Sequence, residues 1–434
     1  MAAVLCCRRR WRLLLACLPC LGLCNLLLYC VLTLMAALTP RVPAPNSGSP
    51  HWSSTSSAAQ FWDTGLDSRA LWNLLQHQLD RRHNPLLRGG EGSNGTGATS
   101  NDSLPFPWAW GGMGGMGEMG AQGGCAGNVR VSSAVPDFNT LPARVQAFLL
   151  AMHCRDYPLL VDQPTVCQPG EGQGGNWSTL LLAIKSESGN FEQRQAIRET
   201  WGWAGLWGGR WQVHTVFLLG RQDGEVGPYP ELGPLLRLEA KQHRDILQWD
   251  FHDTFLNLTL KGLLFLRWLP AGCPQAQFVF QGDDDVFLNT GALLQYLASL
   301  DPSPSLFIGD VIENAAPVRD PTEKYYVPAS LFEGAYPPYA GGGGLLYSGA
   351  LAWRLRRAAE RVVLFPIDDV FLGMCLQRLG VTPMTHPGFH TFDLPDLQLR
   401  SQPCAHRNLL LVHRRSPAET LALWSAVNDP HLQC

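Results

Sequence analysis

From about residue 136 to the end of the chain, short unbroken apolar runs alternate with stretches of helical periodicity. Residues 179–184 (TLLLAI) read as a strand buried on both faces. Residues 192–201 follow with helical spacing and stop at Gly202. Residues 213–219 give a second strand closed by Gly220, residues 255–269 a second helix, and residues 278–280 (FVF) a third strand. Asn289 and Thr290 then lead into Leu293, Leu294 and Leu297 at helical spacing. This alternation predicts an α/β domain on a mostly parallel central sheet. In such sheets ligands sit beyond the C-terminal ends of the strands. Lys185-Ser186, Gly220-Arg221 and the acids Asp283, Asp284 and Asp285 all follow strand ends and are expected to share one cleft.

The beginning of the chain has a different pattern. Arg8, Arg9, Arg10 and Arg12 precede residues 13–38, an apolar run without charge. That length crosses a bilayer with some tilt and exceeds the core of a signal peptide. The arginines place residues 1–12 in the cytosol and everything after the run in the lumen. A cleaved signal peptide is the rival reading, since Ala36-Ala37 offers small residues. Residues 39–135 are rich in Pro, Ser and Gly and include GGMGGMGEMG at 111–120, the composition of a flexible stem. A short helix around residues 70–79 is expected inside it. Residues 136–434 form the lumenal domain.

Charge and cysteine usage narrow the class further. A net charge of -3 argues against a nucleic-acid partner. Asn94, Asn101, Asn176 and Asn257 each open an N-glycosylation triplet. Of the 13 cysteines, Cys6, Cys7, Cys17, Cys20, Cys24 and Cys30 lie in or beside the membrane run, where palmitoylation is an option. Cys125, Cys154, Cys167, Cys273, Cys375, Cys404 and Cys434 have no metal-binding spacing and suit disulfides in an oxidising compartment. Their odd number leaves at least one thiol free or paired between chains.

The chemistry concentrates in QGDDDVFLN at residues 281–289. Three adjacent carboxylates at the end of an apolar strand need a cation or water. A D-x-D pair there holds a hard divalent ion through oxygen ligands, and that ion clamps a diphosphate. A solvated acidic turn or helix cap is the plain alternative. His243-Arg244-Asp245-Ile246 imitates a kinase catalytic loop, but the loop's asparagine position is Asp250 and no other kinase motif accompanies it.

An ordered series of motifs then resembles one family. RQAIRETWG (194–202), FLLG (217–220), DILQWDFHDTFLNLTLK (245–261), GDDDVFLN (282–289), KYYVP (324–328), YPPYAGGGG (336–344), FPIDDVFLGMCL (365–376), LLVH (410–413) and LWSAVNDPHLQC (423–434) resemble the Golgi β-1,3-glycosyltransferases. The wording PIDDVFLGMC is closer to the β-1,3-N-acetylglucosaminyltransferases than to the β-1,3-galactosyltransferases. Gln281 stands where close relatives often have Lys, and Leu345-Leu346-Tyr347 also departs from the usual wording.

The resemblance implies a GT-A-like nucleotide-sugar transferase, anchored as a single-pass type II protein of the Golgi membrane with its catalytic domain lumenal. It implies Asp283, Asp285 and His413 as ligands of Mn²⁺, and Asp369 as the catalytic base. Lys185, Asp283 and Asp284 are the expected donor-binding residues, and Asp368 the expected helix cap. The implied reaction inverts the anomeric carbon of UDP-N-acetylglucosamine and attaches the sugar to the 3-hydroxyl of a galactose-terminated glycan. A β-1,3-galactosyltransferase and a catalytically silent glycan-binding Golgi protein are the alternatives. Homo- or hetero-oligomers with other glycosyltransferases remain open. Arg194 and Arg198, four apart on one helix face, are expected to form a structural salt bridge. Gly341–Gly344 between tyrosines marks a place where the backbone closely approaches a ligand, with Tyr336 and Tyr339 either stacking on a sugar or packing in the core.

Overall fold

The computed structural model describes residues 68–83, 125–168, 177–222, 232–394 and 396–434. The cytosolic tail, the membrane run at 13–38, most of the stem, the sequons at Asn94, Asn101 and Asn176 and the six upstream cysteines lie outside the described residues. Among the described residues no helix is long and apolar enough to cross a membrane.

In chain order the helices are α1 (Leu71–His83), α2 (Val131–Ala134), α3 (Ala143–Ala151), α4 (Phe191–Glu199), α5 (Leu232–His243), α6 (Leu258–Gly272), α7 (Thr290–Leu297), α8 (Gly349–Ala359), α9 (Asp368–Leu379), α10 (Pro403–Arg407) and α11 (Pro417–Val427). The strands are β1 (Leu159–Val161), β2 (Ser178–Lys185), β3 (Gly205–Trp207), β4 (Trp211–Arg221), β5 (Ile246–His252), β6 (Phe278–Asp283), β7 (Val286–Leu288), β8 (Phe307–Gly309), β9 (Val311–Ile312), β10 (Tyr339–Ala340), β11 (Gly344–Ser348), β12 (Met384–Thr385), β13 (Phe389–His390) and β14 (Leu411–His413).

The main sheet runs β1-β5-β4-β2-β6-β11-β8-β12, with β3 paired to β4. Its centre, β5-β4-β2-β6, is parallel, as the strand–helix alternation predicts. Beyond that centre, β1 and β11 join antiparallel, so the sheet is mixed. Alternate residues of β2 enter opposite cores. Leu181 and Ala183 pack on one face, Leu180, Leu182 and Ile184 on the other. Burial of both faces explains the unbroken apolar run, because a half-exposed strand would alternate with polar residues. A separate three-stranded sheet, β13-β14-β7, stands next in sequence to the end of β6.

The packed region reaches upstream of residue 136. Helix α1, expected as a short helix around residues 70–79 inside the stem, buries Leu71, Trp72, Leu75 and Leu79 in the domain core. Its polar side chains bind backbone rather than solvent. Asn73 Nδ2 donates to the Glu333 carbonyl at 2.7 Å, Gln76 Oε1 accepts from Val363 N–H at 2.8 Å, and Trp72 Nε1 donates to the Val363 carbonyl at 3.0 Å. Arg378 closes the contact on Asp80 at 2.6 Å. Three disulfides, Cys125–Cys154, Cys167–Cys273 and Cys404–Cys434, leave Cys375 as the free cysteine among the described residues, buried in the core.

Candidate active site

The parallel register of β2 and β6 sets Lys185 opposite Asp283. Directly paired residues share one face of a sheet, and the Lys185 ammonium meets Asp283 Oδ1 at 2.8 Å. It also meets Asp368 Oδ2 at 2.8 Å. Burial works against this ammonium, but the charges of Asp283, Asp368 and Asp369 outweigh it and hold its pKa well above the ordinary lysine value. The expectation that Asp368 caps α9 is corrected here. Ile367 occupies the N-cap position without a side-chain bond, and the Asp368 carboxylate is spent on Lys185.

Strand β14 pairs antiparallel with β7, His413 opposite Val286, which brings the imidazole beside the acids that precede β7. His413 Nε2 lies 3.1 Å from Asp285 Oδ1 and 3.9 Å from Asp283 Oδ2. Its Nδ1–H donates to the Thr391 carbonyl at 2.9 Å, which leaves Nε2 turned toward the carboxylates. One donor atom each from Asp283, Asp285 and His413 lie within 4.8 Å of one another. Two hard oxygens and a borderline nitrogen suit Mn²⁺, so the residues fit the ion expected from sequence. Desolvation disfavours the His413 cation, yet the Asp285 hydrogen bond and charge raise its pKa. Asp285 is lowered, because the His413 bond outweighs its own desolvation.

Asp284 is used differently. Its Oδ2 accepts from Ser186 Oγ at 2.6 Å and Asn190 Nδ2 at 2.9 Å, so it ties the loop after β2 to the acidic turn. Burial, opposed by these bonds, pushes it up to about 6. Asp369, in the first turn of α9, faces the glycine run. A β-carbon on Gly342 would stand 2.9 Å from Asp369 Oδ2, and one on Gly343 would stand 3.0 Å from the His413 ring. The Gly342 and Gly343 backbone thus lies close against the acid and the imidazole, and only glycine leaves room for both. Burial first, then the Asp368 charge, raises the Asp369 pKa well above the usual carboxylate value, with Lys185 opposing.

Lys185, Asp283, Asp284, Asp285, Asp369 and His413 all line one cleft of about 600 Å³, the size of a small-molecule site. Gly220 and Arg221 do not line it; Arg221 pairs with Asp250 at 2.8 Å. Arg194 and Arg198 are structural as expected, bound to Glu239 and Asp245. Tyr336 packs edge-on against Phe365 while also reaching the cleft, and Tyr339 lines it too. Sequence reasoning missed Thr391, whose hydroxyl accepts from Gly343 N–H at 3.1 Å and whose N–H is held by Asp310 at 3.0 Å. It also missed Lys261 and Asp253, paired at 2.9 Å in the lining of the cleft, although both stand in the motif at 245–261.

Comparison with known proteins agrees with this geometry. Residues 192–387 match the family model described as Galactosyltransferase. The chain is 46% identical over 377 residues to the mouse protein named N-acetyllactosaminide beta-1,3-N-acetylglucosaminyltransferase 2, covering 86% of this chain and 88% of the relative. It is 48% identical over 315 residues to the human acetylgalactosaminyl-O-glycosyl-glycoprotein beta-1,3-N-acetylglucosaminyltransferase, covering 71% of this chain and 80% of that one. It is 44% identical over 318 residues to the rat UDP-GlcNAc:betaGal beta-1,3-N-acetylglucosaminyltransferase 7, covering 71% and 77%. These relatives make the class a glycosyltransferase, to which the α/β fold and the acidic cleft at its strand ends conform. The chain belongs to the β-1,3-glycosyltransferase family, in the branch whose members are named β-1,3-N-acetylglucosaminyltransferases.

Proposed function

We propose that this protein transfers N-acetylglucosamine from UDP-N-acetylglucosamine to the 3-hydroxyl of a terminal galactose on a glycan, with inversion, forming a β-1,3 linkage. The observation that carries the proposal is the meeting of Asp369 with the Asp283, Asp285 and His413 donor set on one cleft. The Asp369 carboxylate takes the proton of the acceptor hydroxyl. That oxygen forms its bond to the anomeric carbon as the bond from this carbon to the diphosphate breaks, and the electron pair leaves with UDP. Asp283, Asp285 and His413 would hold a divalent ion such as Mn²⁺, which supplies positive charge to the diphosphate when bound. Lys185 holds Asp283 and Asp368 in place, and Thr391 fixes the tautomer and direction of His413. A raised pKa makes Asp369 a stronger base once ionised.

The parallel centre and the acidic turn after β6 support the GT-A-like assignment. A type II anchor at residues 13–38 and a lumenal Golgi location belong to the same proposal. Three disulfides support an oxidising compartment.

The test is a donor screen on the protein from residue 39 onward, secreted behind a signal peptide. UDP-N-acetylglucosamine is expected to be used with a galactose-terminated acceptor and Mn²⁺, and chelation to stop transfer. Preference for UDP-galactose would move the assignment to a galactosyltransferase. UDP binding without transfer from any donor would mean a silent glycan-binding protein.

A further inference from the structure

Immediately after His413 the chain makes a strained turn. Arg414 has φ 62°, in the left-handed region where a β-carbon crowds the next carbonyl oxygen. Glycine or asparagine occupies that region at lower cost. The surroundings hold Arg414 there. Its carbonyl accepts from Arg400 Nη2 at 2.5 Å and Arg415 Nη1 at 3.2 Å. The Arg415 N–H donates to the Asp285 carbonyl at 2.7 Å, and the Arg415 side chain folds back into the core onto Asp393 at 2.7 Å. The turn itself would be served better by glycine or asparagine. The Arg414 side chain is exposed and lines the cleft with His413 and Asp285.

Four residues with a lysine or arginine charge line the cleft: Lys185, Lys261, Lys324 and Arg414. Lys185 is neutralised by Asp283 and Asp368, and Lys261 by Asp253. The Lys324 ammonium lies 4.3 Å over the Phe255 ring. Among the described residues the Arg414 guanidinium has no ion-pair partner. A diphosphate entering the cleft brings negative charge, and gains more as the sugar leaves it. A planar guanidinium with paired donors matches phosphate oxygens.

We propose that Arg414 is a donor-binding residue whose guanidinium hydrogen-bonds the diphosphate of the nucleotide sugar and offsets the charge that collects there as UDP departs. The proposal rests on the reading of the cleft as a nucleotide-sugar site. It gives the strained backbone a purpose, since such strain persists at ligand clamps where a particular side chain has to be presented.

The experiment compares UDP and uridine binding by calorimetry to the full chain in detergent, with Mn²⁺ and with EDTA. Arg414→Asn removes the cation and keeps a residue suited to the turn. It is expected to weaken UDP binding about tenfold, the scale of one charge-assisted hydrogen bond. Uridine affinity and the melting temperature should be unchanged or, for the latter, raised. Arg414→Lys should fall between wild type and Arg414→Asn. Unchanged UDP affinity, including the case in which Arg414 instead serves an anionic acceptor, overturns the proposal. Equal weakening of UDP and uridine also overturns it, because the loss would then be structural. Failure of the wild-type protein to bind UDP at all would instead sink the nucleotide-sugar reading beneath it.

Discussion

Asp368 and Asp369 are chain neighbours with opposite tasks, one spent on Lys185 and the other facing the glycine run. Asp369→Asn keeps size but cannot accept a proton. Turnover is expected to fall by roughly 10²–10⁴-fold with UDP affinity in Mn²⁺ retained, read by kinetics and calorimetry on the same preparation. Asp368→Asn takes one of two partners from a buried ammonium. Urea unfolding should show a loss on the order of 1–3 kcal/mol, below the cost of a fully orphaned charge because Lys185 keeps Asp283. The same change removes a like charge from beside Asp369, whose pKa is raised. Asp369 should then ionise at lower pH, and the acidic limb of kcat/KM should move down; a shift upward would break the electrostatic account. The acids of the D-x-D turn were legible less from three adjacent carboxylates, which a solvated turn also explains, than from their place in an ordered series of motifs. Lys185 was legible from its place at a strand end, but its second partner was not, since Asp368 lies 183 residues away. Thr391 was illegible because part of its task falls to a backbone carbonyl, which every residue possesses. The two departures from the family wording, Gln281 and the segment Leu345-Leu346-Tyr347, meet in the structure, where the Tyr347 hydroxyl donates to Gln281 Oε1 at 3.1 Å.

At the scale of elements, α11 opens with a capping box in which Ser416 and Glu419 bind each other's backbone N–H. The Arg400 bond first, together with the Ser416 bonds, pushes Glu419 down to about 2 from an ordinary 4.5. A lowered carboxylate stabilises the fold fully above its unfolded pKa and stops doing so as pH falls through its folded one. The melting difference between wild type and Glu419→Gln should therefore shrink between pH 4.5 and 2. A difference that stays constant over that range would rule out this contribution. Helix α1 carries a second prediction. Trp72→Ala removes a fully buried indole and its hydrogen bond, and should cost about 3–5 kcal/mol by denaturant unfolding. Periodicity and apolar runs located α4, α6 and the parallel strands β2, β4 and β6, but missed the fourth parallel strand β5, in whose sequence ILQWDFH polar residues interrupt the apolar ones. They could not show β13, β14 and β7, at two or three residues each, nor that α1 belongs to the core. The latter depends on asparagine and glutamine side chains finding backbone partners about 260 and 290 residues away.

Across the whole molecule, the Cys404–Cys434 disulfide closes a ring that contains both β14 and α11, and therefore His413. Replacing both cysteines by serine should cost up to roughly 3–4 kcal/mol on the chain-entropy estimate for a loop of this length, measured as a lower denaturant midpoint. A variant as stable as wild type would mean that the ring is already held by its other contacts. Helix α1 has one more consequence, which concerns time. Its Trp72 is tied to Val363, 291 residues further along the chain. At about 5–20 residues per second, the ribosome delivers that partner on the order of 15–60 s after the helix itself. The first helix among the described residues to be synthesised is thus among the last to be completed. For most of that interval, until Leu331 and Phe332 emerge, its tryptophan lacks the native surface that covers it. Chains arrested before residue 363 should be cut there by protease, and finished chains should resist.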